Sequence, residues 1–384
     1  MPTDARLDMR KFVRPALRSV RSYDPGPSVA DLAAQYGVDG LHKLNWNEDL
    51  FGLLPGVGEA VNLELSRAAL YPEQSYSDFR RLVAEWAGTD ASSIVPAHGI
   101  QALVLAVASV FLEPGSKVVL PAPTYGLYRQ ACAAAGAEVV DVPTRGYRLD
   151  LEAMAEAARG ATMVFVCDPN NPTGDALSPD SWSRFLDALP DSCVAIADEA
   201  YADYMAPEDR PDRMADVRAG RPVVVLRTFS KLFGLAGLRL GYAVMHPDLA
   251  SCFDAVQEPF NVNRLALAAG TACLADPGAV EARRREVAAA RDQLEKSLLE
   301  LAIPSWPSQA NFVLAEPGGD DAAWYEGLIR RGFLVRPGSE FGLPGHLRIT
   351  VGPGELMTRL ASAMAEVRDE LAGRSRPQEP PRPG

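Results

Sequence analysis

Short apolar runs recur through the middle of the chain, at 117–120, 138–142, 163–167, 193–197, 223–226 and 240–245. Near-continuous apolar runs of this length predict strands buried on both faces. Helical patterns at 102–112, 125–135, 151–158 and 181–189 separate most of them. This alternation predicts an α/β large domain whose mainly parallel sheet is covered by helices on both sides. In such sheets ligands bind at the carboxyl ends of the strands, so the polar residues after each run are the ones to collect.

The flanks read differently. Residues 22–27 form a turn signal, and Ser28 is placed to cap a short helix. A short strand near 42–44 leads into a polar loop, and helices are expected over 56–70 and 76–88. The second has Phe79, Leu82, Val83 and Trp86 at helical spacing. Beyond about 265 come helices at 264–275 and 280–301, then strands at 310–314, 333–336 and 346–351 and a helix at 355–371. These predict a smaller α+β domain. The expected division is 1–42 as an N-terminal arm and part of the small domain, 43–264 as the large domain and 265–372 as the small one. The Pro- and Arg-rich residues 373–384 should be a disordered tail.

The strand-end loops carry chemistry. After Cys167 comes Asp168-Pro169-Asn170-Asn171-Pro172-Thr173-Gly174, and after Ala197 come Asp198, Glu199, Ala200 and Tyr201. After Leu226 comes Arg227-Thr228-Phe229-Ser230-Lys231-Leu232-Phe233-Gly234, with Arg239 further on. Each loop has a plain alternative: a tight turn for the Asn-Asn-Pro-Thr-Gly run, a helix cap for Asp198, a surface amine for Lys231. Together they suit pyridoxal 5′-phosphate. A neutral, nucleophilic lysine can form a Schiff base with its aldehyde, and Lys231 is the candidate. A carboxylate is needed at the pyridine nitrogen, for which Asp198 fits. Asn171 and Tyr201 suit the phenolic oxygen, and Tyr125 can stack on the ring. Amides, hydroxyls and a cation for the phosphate are offered by Ile100, Gln101, Thr228, Ser230 and Arg239. Arg348 is the candidate to hold a substrate carboxylate in a bidentate grip.

Charge narrows the partners. A net charge of -12 and a pI near 5.0 argue against nucleic acid and anionic membrane surfaces. No run approaches the roughly 18 apolar residues of a spanning helix, and the first residues lack a signal-peptide plan, so a cytoplasmic location is expected. Five scattered cysteines and four histidines show no metal spacing, so no metal site is expected.

The run Asn-Asn-Pro-Thr-Gly, the run Asp-Glu-Ala-Tyr, Thr-Phe-Ser-Lys with Arg239 eight residues on, and Leu-Arg-Ile-Thr-Val-Gly occur in one order and spacing. In these the chain resembles the fold-type I, class I/II aminotransferases, most of all the histidinol-phosphate aminotransferases, from Tyr23 to about residue 370. The resemblance implies the aspartate aminotransferase-like fold, with a seven-stranded sheet in the large domain. It implies that Lys231 binds the cofactor and moves a proton, and that Arg348 binds the substrate carboxylate or its replacement. It also implies a homodimer with shared active sites, in which Tyr71 reaches the neighbouring subunit's cofactor phosphate. Tyr23, Asn47, Asp49 and Arg336 are placed near the substrate. The departures concern that substrate: Asn47-Glu48-Asp49-Leu50 stands for the family's Asn-Glu-Asn-Pro, and Pro337-Gly338-Ser339-Glu340-Phe341-Gly342 follows Arg336. Asp49 and Glu340 would suit a cationic side chain such as a guanidinium, whereas Arg336 suits an anion. The leading expectation is transamination between a small amino acid or amine, histidinol phosphate first, and a 2-oxo acid. Decarboxylation, oxidation or cyclisation on the same cofactor is the alternative. A DNA-binding regulator is disfavoured by the acidic charge and the lack of a basic module upstream.

Overall fold

The computed structural model describes residues 8–18, 20 and 26–374. Tyr23 and residues 375–384 of the expected tail lie outside the described residues, while 373 and 374, expected in that tail, instead close the helix Gly354–Arg374.

A two-residue strand, β1 (His42–Lys43), precedes the main sheet, which contains β2 (Ile94–Ala97), β3 (Lys117–Ala122), β4 (Glu138–Pro143), β5 (Met163–Cys167), β6 (Val194–Asp198), β7 (Val223–Thr228) and β8 (Gly241–Val244). Its seven strands run in the order β2-β8-β7-β6-β5-β3-β4. β3 to β7 are mutually parallel where they pair, while β8 is antiparallel to both β7 and β2. The connection from β7 to β8, residues 229–240, holds one 3-10 turn (Ala236–Leu238) and no α-helix, and the chain returns antiparallel beside β7. Lys231 sits in that turn-back.

The apolar runs are buried on both faces, as their lack of alternation predicts. Met163, Phe165 and Cys167 of β5 pack with Ile196 and Val224 on one side. Val164 and Val166 pack with Ala195, Ala197 and Val225 on the other. The apolar runs do not predict β2. Its four residues include Pro96, tolerated because β2 is an edge strand. The connections from β3 and β5 leave in opposite directions, toward β4 and β6, so a crevice opens between their carboxyl ends.

The second layer of structure is a three-stranded antiparallel sheet, β11-β12-β9, made of β9 (Phe312–Ala315), β11 (Arg336–Pro337) and β12 (Leu347–Thr350). β10 (Phe333–Leu334) instead pairs in parallel with β1. The single strand expected over 333–336 is therefore two short ones belonging to different sheets. The helices Pro277–Glu300 and Gly354–Arg374 pack on each other in this region. The helix Arg264–Ala275 packs instead against Val57–Leu65 and Ser77–Ala87, on the large-sheet side of the expected boundary. Gly270 permits the close approach to Ser77–Ala87: a Cβ there would lie 3.1 Å from Phe79 Cε2, and 2.5 Å from Leu240 Cδ2 beside it.

Candidate active site

The carboxyl ends of the parallel strands border a cavity of about 960 Å³. Its wall includes Lys231, Asp198, Asn171, Tyr201, Tyr125, Ile100, Gln101, Thr228, Ser230, Arg239, Asn47, Arg336 and Arg348. Tyr125, Asn171, Asp198, Tyr201, Ser230 and Lys231 meet because β3, β5, β6 and β7 deliver their carboxyl ends to one edge of the sheet, while Asn47, Arg336 and Arg348 reach the cavity from outside that sheet.

The Lys231 ammonium donates to the backbone carbonyls of Trp46 at 3.1 Å and Asn47 at 2.8 Å. Burial, with the guanidinium groups of Arg348 and Arg239 adding to it, lowers its pKa to about 7. An amine of this kind is available in its neutral form at neutral pH. Asp198 closes β6 and is buried, which raises its carboxyl to about 6 despite two donors. Those donors are the Tyr128 hydroxyl, to Oδ2, and the Ala200 amide, to Oδ1 at 2.9 Å.

A second group of side chains converges on the Tyr201 hydroxyl, to which Asn47 Nδ2 donates at 3.1 Å and Asn171 Nδ2 at 3.4 Å. Burial pushes that phenol well above its usual range. Asn171 Oδ1 accepts from Arg348 Nη1 at 2.6 Å, and the other arm of the guanidinium donates to the Asn45 carbonyl. Arg348 and Arg336 are cross-strand partners on β12 and β11. Directly opposed residues project to one face, so both guanidiniums reach the same cavity. Glu340 accepts from Arg336 Nε at 2.7 Å.

Arg239 donates to Ser230 Oγ at 3.4 Å and to Gln101 Oε1 at 3.1 Å, across the opening of the helix Gly99–Phe111. Gly99 has φ +76°, and a Cβ there would lie 2.8 Å from Arg239 Nη2. Guanidinium, hydroxyls and helix N-terminus together form a cup suited to an anion. Gly99→Ala is expected to displace Arg239 and strain the backbone, at a cost of about 1–3 kcal/mol. Urea melts of the two proteins measure the loss, and phosphate-ester affinity should fall with it.

Two sequence-expected residues are not brought into this cavity. Asp49 points away, buried against Arg283 Nη1 at 2.6 Å with the Phe51 amide as its second donor. The carboxylate is consumed in holding the 47–52 loop to the helix Pro277–Glu300, which corrects its expected place beside the substrate. Tyr71 is exposed outside the cavity, its ring stacked on Phe260 at 4.6 Å.

Other residues at the site went unseen in the sequence. Tyr128 lies inside a helix pattern, where a tyrosine looks like core. Thr350 and Asn311 fix the 45–48 loop: Thr350 Oγ1 accepts from the Asn47 amide at 3.0 Å, and Asn311 Nδ2 donates to the Asn47 carbonyl at 3.1 Å. Beneath the strand ends, Arg213 donates to Asp168 and to Glu199, and Arg227 also donates to Glu199.

Comparison with known proteins agrees with this geometry. Residues 40–364 match the family described as aminotransferase class I and II. A histidinol-phosphate aminotransferase of Symbiobacterium thermophilum is 40% identical over 92% of this chain and 97% of its own. One from Moorella thermoacetica is 35% identical over 92% of each chain. Among solved structures, a histidinol-phosphate aminotransferase from Sinorhizobium meliloti in complex with pyridoxal-5'-phosphate superposes with a TM-score of 0.85 at 27% identity, covering 97% of this chain and 100% of that one.

Proposed function

The chain belongs to the class I and II aminotransferases, a family whose chemistry is amino-group transfer on pyridoxal 5′-phosphate, and we propose that this cavity performs it with histidinol phosphate as the first donor to consider. The observation that carries the reading is Lys231, an amine whose pKa is brought to about 7, in one cavity with the buried carboxylate of Asp198. The residues present fit the cofactor. The space above Gly99 that a Cβ would fill brings helix amides and Arg239 together as a phosphate cup. Asp198 offers a buried anion to a protonated ring nitrogen, and Asn171 and Tyr201 offer polar groups to a phenolic oxygen. When bound, pyridoxal phosphate supplies an aldehyde for covalent attachment and a ring that withdraws electrons from the substrate α-carbon.

The protein's own groups then have separable tasks. Lys231 would take a proton from the donor's α-carbon and return one, a role that needs a pKa near the working pH. Thr228, Ser230, Gln101, Ile100 and Arg239 would hold the phosphate, and Tyr125 would serve the ring face. Arg348 and Arg336 bind the anionic groups of donor and 2-oxo acid, with Asn47 orienting Tyr201 beside them. The named relatives support histidinol phosphate as donor. A guanidinium-bearing donor loses the support of Asp49, which is buried against Arg283 outside the cavity.

The proposal includes a homodimer with Tyr71 completing the neighbouring site, which suits an exposed tyrosine stacked on Phe260 outside its own cavity. No helix among the described residues is long and apolar enough to cross a membrane.

A panel of amino donors with 2-oxoglutarate tests the assignment. Keto product from histidinol phosphate supports it, while carbon dioxide or peroxide without keto product would replace it with another reaction on the same cofactor. Arg348→Lys keeps the charge but loses the planar fork. It should raise KM for the 2-oxo acid by about 10–100-fold with a smaller change in kcat, as loss of ground-state binding requires.

A further inference from the structure

The ion-pair network under the strand ends has a charge balance that bears on the cavity above it. Among the described residues it comprises Asp168 at the end of β5, Glu199 just past β6, Arg213 in the helix Arg213–Arg218, Arg227 on β7, and the neighbouring pair Asp203 and Arg210. Arg213 is 1% exposed, and its guanidinium also lies 4.1 Å from the Trp182 ring centroid. Its two arms reach Asp168 Oδ2 at 2.5 Å and Glu199 Oε1 at 2.8 Å, and Arg227 Nε reaches Glu199 Oε2 at 2.6 Å. Three carboxylates here face three guanidiniums, so this group of six is neutral.

Asp198 is the next residue in the chain from Glu199, and its backbone carbonyl accepts from the Asp168 amide at 2.9 Å. Its carboxylate forms no ion pair with an arginine among the described residues. The groups that face it are the Tyr128 hydroxyl from one helix, Cys167 of β5, Glu199, Tyr201 and Lys231. Burial pushes the Glu199 carboxyl up, but Arg227 and Arg213 outweigh it and leave the group below its ordinary value. Glu199 therefore stays ionised, and its charge bears on Asp198 except where Arg213 and Arg227 cancel it.

We propose that Arg213 is a positioning residue for the cofactor ring: by binding Asp168 and Glu199 together it neutralises the carboxylates flanking Asp198, which is left as the single unmatched anion of the cluster, set for a cationic ring nitrogen. This rests on the reading of Asp198 given above. Loss of Arg213 adds an uncompensated negative charge beside Asp198 and favours its protonated form, whereas loss of the Asp168 charge adds a positive one and favours the carboxylate. A purely structural network would respond alike to both changes.

The test compares Arg213→Met, Asp168→Asn and the double variant R213M/D168N, which restores the original balance. Protonation of Asp198 is followed in cofactor-free protein by the carboxylic-acid infrared band that Asp198→Asn removes, and pyridoxal phosphate affinity is followed by absorbance across pH 5–8. Arg213→Met should raise the Asp198 midpoint by about one pH unit and weaken cofactor binding about tenfold. Asp168→Asn should lower the midpoint and extend binding to more acid pH, and the double variant should return both to wild type. If Arg213→Met does not fold, Asp168→Asn and Glu199→Gln decide, since both should lower the midpoint. Shifts in the same direction for Arg213→Met and Asp168→Asn, or an unmoved midpoint in Asp168→Asn, would overturn the inference. Failure of wild type to bind pyridoxal phosphate would instead sink the functional reading, while the infrared titration still judges the inference.

Discussion

Replacing Lys231 by alanine should lower kcat by at least about 10⁴-fold, the upper range for a positioned acid–base group, because in the proposed function the same amine also anchors the cofactor. Its neighbourhood explains the size of the effect. The turn-back between β7 and β8 sets the amine against the carbonyls of Trp46 and Asn47, under the influence of Arg348 and Arg239. Burial and those cations bring its pKa from 10.5 to about 7. The unfolded chain thus binds a proton that the folded one lacks between about pH 7 and 10.5, and stability rises with pH across that window. The unfavourable contribution is fully felt below pH 7 and fades toward 10.5. Cofactor-free Lys231→Ala should therefore be more stable than wild type at pH 7, by about 1–2 kcal/mol, with the gap closing at higher pH. Urea melts at both pH values check the sign, and single-turnover kinetics check the rate. A variant that kept more than a few per cent of activity would remove Lys231 from the chemistry.

Asp198→Asn should cost about 10²–10³-fold in kcat, comparable to losing a preorganised electrostatic partner elsewhere. The folded carboxyl titrates near 6 because burial outweighs the Tyr128 and Ala200 hydrogen bonds. A raised carboxyl binds its proton more tightly folded than unfolded. Its stabilisation is present below about 3.8 and lost as pH rises through about 6. Cofactor affinity should run the other way, weakening as pH falls through about 6 and the carboxylate is lost. Asparagine keeps the shape and should flatten that acid limb. Binding titrations from pH 5 to 8 separate the outcomes: an unchanged limb in the variant would assign it to another group.

The gathering of the strand-end polar residues around one cavity was legible in the sequence for a physical reason. Lys231, Asp198 and Asn171 each follow an uninterrupted apolar run, and parallel strands gather such residues at one edge. The illegible parts depend on long-range pairing. Asp49 sits beside residues that line the cavity, yet its partner Arg283 is 234 positions away. Arg213 resembles any exposed helix-start arginine until folding brings Asp168 and Glu199 to it from two strand ends. Likewise β2 was hidden by a proline that only an edge position allows, and the 333–336 run by a division between two sheets.

The most direct measurement is reduction of the pyridoxal phosphate-loaded protein with borohydride, followed by peptide mass analysis. The account predicts a visible absorbance band that disappears on reduction, with the pyridoxyl mass carried on Lys231. A protein that takes up no pyridoxal phosphate, or one labelled at a different lysine, would contradict it.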